Sequence, residues 1–175
     1  ALRMHKRALR AYRRFHGDEH RTVARALFCV GNVLCRKGEL ERAVEKFEEA
    51  HAMLIGLYGE DHVDVAMVLG NMATVLQKQG KGAEASAMQE KVLEFHRRTL
   101  GSDHDHVATM LSNLGSAYRR QGRMEDALAR LEEGLGIVRR TTPGRNVKEG
   151  LFLKTIGDVY FMQGRLDDGL AMYDK

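Results

Sequence analysis

One interval governs this chain. Gly17, Gly59 and Gly101 stand 42 residues apart, as do His20, His62 and His104, then Val23, Val65 and Val107, then Leu27, Leu69 and Leu111. The interval continues through Val30, Met72, Leu114 and Ile156, through Gly31, Ala73, Gly115 and Gly157, and through Gly38, Gly80, Gly122 and Gly164. A register that never slips means one supersecondary unit used repeatedly, each copy burying its apolar face on its neighbours.

Within a copy the spacing is helical. Leu111, Leu114, Gly115 and Tyr118 recur at three and four, which predicts a first helix with one apolar face. After the turns "RKGE", "KQGK" and "RQGR" a second run follows, Ala43, Phe47, Ala50 and Leu54 in one copy and Ala127, Leu131, Gly134 and Val138 in another. Gly38 and its equivalents suit the left-handed residue that ends a helix. Gly31, Ala73, Gly115 and Gly157 are expected to let the second helix come close, with Ala43, Ala85 and Ala127 facing them. Gly17, Gly59 and Gly101 end the second helix, and Asp18, Glu60, Asp61 and Asp103 precede a new helix start, where negative charge is favoured.

The predicted organisation is one continuous solenoid domain. Residues 1–16 form the second helix of an incomplete unit, because Ala1 and Ala8 fall opposite Ala43 and Ala50. Full repeats span 17–58, 59–100 and 101–142, and a fourth, truncated in its second helix, spans 143–175. Solenoid ends normally carry polar caps, and neither end here looks capped, so the segment is expected to belong to a longer array. Gln89 and His96 occupy second-helix positions that are apolar in neighbouring copies, so the second repeat is expected to be the loosest.

The order of small residue, aromatic or leucine, turn glycine, alanine and bulky apolar residue resembles the tetratricopeptide repeat. The 42-residue length, with openings "GDEHRTVA", "GEDHVDVA" and "GSDHDHVA", is similar to the kinesin light chain type. The resemblance covers nearly the whole chain and implies an all-α, right-handed α-solenoid of antiparallel helix pairs. The chain departs from the pattern in lacking the proline after the histidine, where Arg21, Val63 and Asp105 stand. It also carries Leu34 and Leu76 at the first-helix aromatic position.

Other chemistries find little support. The glycines follow the repeat and form no phosphate-binding loop, and no set of titratable groups points to catalysis, so no enzymatic role and no cofactor are expected. His20, His62 and His104 lie a helical pair apart, on the order of 10 Å per helix layer, whereas zinc ligands sit about 2 Å from a shared ion; each is read as a loop histidine that packs or hydrogen-bonds. Cys29 and Cys35 are read as reduced thiols, and no window reaches the roughly 18 apolar residues of a membrane span, so a soluble, cytoplasmic protein is expected. Six of the 28 Lys and Arg residues fall in residues 1–16, which hold no acid, leaving 22 bases against 24 acids elsewhere. The +4 charge is therefore weak support for nucleic-acid binding, for which the stretch Arg3 to Arg14 is the one motive.

The expected function is a non-catalytic scaffold holding a partner protein or peptide in the concave groove lined by first helices. Resemblance to the light-chain type implies that asparagines there grip the backbone of an extended peptide, and Asn71 and Asn113 match those positions, with Cys29 and Thr155 at the equivalents. One turn further on, Arg36, Lys78 and Arg120 share a position, with Arg119 beside the last, which would attract acidic side chains. Asn32 and Lys154 complete the candidate set. Met162 replaces the base in the fourth copy and Phe161 is expected to add apolar surface there. The alternatives are a regulatory or sensing arm of a larger multidomain protein, and a structural subunit fixed in a large assembly.

Overall fold

A computed structural model describes residues 2–142 and 146–174; the expected start of the fourth repeat at Pro143 lies outside them. Among the described residues all regular structure is helical: α1 (Leu2–His16), α2 (Arg21–Arg36), α3 (Leu40–Tyr58), α4 (Val63–Lys78), α5 (Gly82–Leu100), α6 (Asp105–Arg120), α7 (Met124–Thr141), α8 (Val147–Met162) and α9 (Leu166–Tyr173). The chain divides into two compact units, Ala1–Val92 and Leu93–Lys175, and the division falls inside α5.

In the first unit α1 packs against α2, α2 against α3 and α3 against α4, the first helices α2 and α4 also touch, and Ala73 and Leu76 of α4 cluster with Ala85 of α5. Val23, Leu27, Val30 and Leu34 of α2 meet Phe47 and Leu54 of α3 and Val65, Val68 and Met72 of α4, with Leu2 and Leu9 of α1 against the edge. Fully burying an apolar side chain of this size contributes roughly 1.5–3 kcal/mol, so the α2/α3 seam dominates the unit. Gly31 makes that seam possible, because a Cβ there would lie 2.7 Å from the Phe47 ring. Gln89 of α5 occupies the position of Phe47, and its Oε1 is buried without a hydrogen-bond partner.

The second unit repeats the plan. Leu93 of α5, Val107, Leu111 and Leu114 of α6, Leu131, Leu135 and Val138 of α7, and Phe152 and Ile156 of α8 form its core. Gly115 lies under Leu131, and a Cβ on Gly134 of α7 would lie 2.5 Å from the Phe152 ring, so α8 also closes on a glycine.

The turns between paired helices share one geometry. Gly38 has φ +79° and donates to Cys35 O at 3.1 Å, while Glu39 N–H donates to Leu34 O at 3.0 Å. Lys81, Arg123 and Arg165 make the equivalent long bond to Leu76, Tyr118 and Tyr160, which satisfies a helix-end carbonyl each time. Arg123 and Arg165 also lie over the rings of Tyr118 and Tyr160, 4.3 and 4.2 Å from their centroids.

Ion pairs join second helices in every other copy. Arg13 bonds Glu49, which Lys46 also meets; 84 residues on, Arg97 bonds Glu133, which Arg130 also meets. At the intervening step Ile55 and Lys91 stand where an arginine and a glutamate would be. Gln79 to Glu41 and Gln163 to Glu125 follow the same 84-residue alternation.

Candidate interaction surface

On each first helix the candidate residues, Arg119 and Lys154 aside, fall on one row, at i, i+4, i+7 and i+11. In the first unit the rows carry Arg25, Cys29, Asn32 and Arg36 on α2, and Met67, Asn71, Thr74 and Lys78 on α4, with no acidic residue. All eight are exposed or half-buried. Asn71 Nδ2 donates to Met67 O at 2.8 Å within its own helix, which orients the amide and leaves its oxygen to accept. Lys78 reaches the Cys35 thiol, Nζ 3.7 Å from Sγ, while Asn32 is half-buried and Arg36 exposed.

In the second unit the corresponding positions are Thr109, Asn113, Ser116 and Arg120 on α6, and Leu151, Thr155, Asp158 and Met162 on α8. Asn113 and Arg120 are exposed; Thr155 is buried, its hydroxyl donating to Leu151 O at 2.8 Å. Arg119 turns aside: it is half-buried, its Nη1 3.9 Å from Met162 Sδ, and its Nε is buried without a partner. Lys154 donates to Asp158 at 3.2 Å, so it is committed inside its own helix. Burial alone would raise the Asp158 carboxyl, but hydrogen bonds from the Tyr173 hydroxyl and Lys154, with the nearby Arg119 charge, hold it below the usual carboxylate range.

The fourth copy differs from the expectation in one detail. Met162 is 55% exposed, as an apolar strip requires, but Phe161 stacks on Tyr173 with centroids 5.7 Å apart and packs over Gly169. Its ring serves the α8/α9 seam, because Gly169 of α9 has no side chain to fill that space.

The repeated histidines cap helices. His20, His62 and His104 precede α2, α4 and α6, and each Nδ1 accepts the N–H two residues on, from Thr22, Asp64 and His106 at 3.2, 3.1 and 3.1 Å. Asn146 holds the same place in the fourth copy, its Oδ1 accepting from Glu149 N–H at 2.8 Å. His16 and Tyr58 stack on the first two caps, with ring centroids 4.3 Å apart in both cases. His96 of α5 meets His106 edge-on at 4.7 Å, and burial, together with the charges of His106 and His104, holds its pKa below the ordinary imidazole value. Among the described residues no group of His, Cys, Asp or Glu is placed to hold a metal ion, and no helix is long and apolar enough to cross a membrane.

The sequence profile of the tetratricopeptide repeat matches residues 1–54, 22–81 and 64–140. No curated protein matches the chain by sequence. Among solved structures, the nearly identical tetratricopeptide-like repeats of a Podosopora anserina kinesin light chain match with TM-score 0.86 over 99% of this chain and 82% of that one, at 18% identity. BtubC (BKLC) from P. vanneervenii matches with TM-score 0.80 over 98% and 68%, at 20% identity. MamA matches with TM-score 0.65 over 99% and 82%, at 16% identity. At these identities the likeness concerns the fold alone.

Proposed function

Since the chain belongs to the tetratricopeptide repeat family and shares the fold of kinesin light chain-type repeats, we propose that it is a non-catalytic cytoplasmic scaffold. It grips an extended segment of a partner protein along the open faces of its first helices. Tetratricopeptide repeats are in general protein–protein interaction scaffolds, and the finer reading rests on one observation. The open face of the first unit offers three cations, Arg25, Arg36 and Lys78, and two amides, Asn32 and Asn71, with no carboxylate. Amides satisfy a peptide backbone whatever its side chains, and guanidinium and ammonium groups select acidic ones. Asn113 and Arg120 offer the same pair of chemistries in the second unit.

Arg119 and Lys154 contribute indirectly in this reading, since one is tucked against Met162 and the other neutralises Asp158. The test is capture on an array of extended peptides that vary in acidic content. Binding should favour acidic sequences, weaken with salt, and fall at least tenfold in an Asn71→Ala, Asn113→Ala double variant. Unchanged capture by that variant, or no preference between acidic and neutral peptides, would overturn the assignment.

A further inference from the structure

A second cationic feature lies apart from those faces. Arg3, Lys6, Arg7 and Arg10 of α1, with Leu2 and with Lys37 at the end of α2, line a concavity of about 650 Å³. No acid lines it, unlike the neighbouring hollow at the other end of α1, which holds Asp18, Glu19 and Glu49. Arg3, Arg7 and Arg10 recur at i, i+4 and i+7 with Lys6 between them, so four cations share about 100° of one helix over roughly 10 Å. Leu2 and Leu9 pack against the first unit's core, which holds α1 in place and keeps that face outward. Among the described residues these four cations form no ion pair, whereas Arg13 on the same helix binds Asp18 and Glu49. Lys37 comes only to within 3.9 Å of Glu39.

We propose that this concavity is a binding site for a compact anion carrying several phosphomonoesters. Charge density selects that class. An extended acidic peptide presents one face every second residue, about 6.6 Å, so it sets about two carboxylates against roughly 10 Å of helix. Each phosphomonoester brings about −1.5 to −2 and three acceptor oxygens, which fits five cations around a small volume. No aromatic side chain lines the hollow to stack a nucleobase, which sets single-stranded nucleic acid aside.

The test is calorimetric titration of the whole chain with inositol hexakisphosphate near physiological salt. Saturable one-to-one binding is expected, weakened at least tenfold by Arg7→Gln with Arg10→Gln while the helical circular dichroism stays unchanged. Arg14→Gln, on the same helix but outside the lining, should change affinity less than twofold. Vesicles bearing phosphatidylinositol bisphosphate, run against phosphatidylserine vesicles of equal charge, identify the source. Selective retention, competed by the soluble polyphosphate, assigns a lipid headgroup; binding of the soluble anion without retention assigns a free one. Absence of saturable binding overturns the proposal. So does equal loss in Arg14→Gln, or equal affinity for oligoglutamate or single-stranded DNA of matched charge.

Discussion

His104 shows how one atom can explain a repeated residue. What α6 needs at its start is an acceptor for an N–H of its first turn, and the imidazole Nδ1 supplies it as Asn146 Oδ1 does at α8. His104→Ala should therefore lower the unfolding free energy by about 1 kcal/mol and His104→Asn by less than half of that, as read by urea denaturation. Two glycines should respond oppositely to alanine. At Gly115 a Cβ would lie 2.5 Å from Leu131 Cγ, and forcing the helices apart costs about 1–3 kcal/mol. At Gly70, mid-helix with nothing within 4 Å, the same change should stabilise by about 0.5–1 kcal/mol. Thermal melts of the two variants on either side of the parent check the pair. The turn glycines and the small residue at Gly115 were legible from the 42-residue spacing. The cap was less so, because histidine is not among the usual capping residues; the readable sign was Asn146 in register with three histidines.

Among the helices, α5 stands out. It carries a buried, unpartnered Gln89 Oε1 at the position filled by Phe47 in α3 and Leu131 in α7, and the two compact units divide within it. Gln89→Leu should raise stability by about 1–2 kcal/mol, since an unsatisfied amide oxygen leaves the interior; an unchanged or lower melting temperature would count against that account. Acid should also act through this part of the chain. Burial, then the charges of His106 and His104, lowers the His96 pKa; burial, then Lys91, lowers that of His51 against an opposing pull from Glu60. The unfolded chain then takes up these protons first as pH falls. Their contribution is complete above the ordinary value near 6.5 and is lost as pH drops through it toward the lowered values. Urea midpoints measured between pH 7.5 and 5.5 should fall, and less steeply in His96→Gln. The helix pairs were readable because apolar spacing and glycine stops agree. The ion pairs between second helices were not, since partners 36 residues apart in sequence meet only after the repeat geometry exists.

Across the whole chain, charge is concentrated in α1, and the remainder is nearly balanced. Replacing Arg3, Arg7, Arg10 and Arg14 by glutamine would bring the formal charge from +4 to zero and should abolish retention on heparin without lowering the melting temperature. Retention that survived would place the polyanion contact elsewhere. Repetition was evident at this scale from the opening spacing, whereas the division of the chain into two compact units was not, because the register runs through α5 without a break. The alternating ion pairs carry a rule for editing. Excising residues 17–58 would bring Arg13 opposite Lys91, two positive charges face to face, whereas excising 17–100 would bring it opposite Glu133. A gene encoding such a protein should therefore shed the module that follows Arg13 only together with the next, and a designer who shortens the array at that point should splice by the same even count.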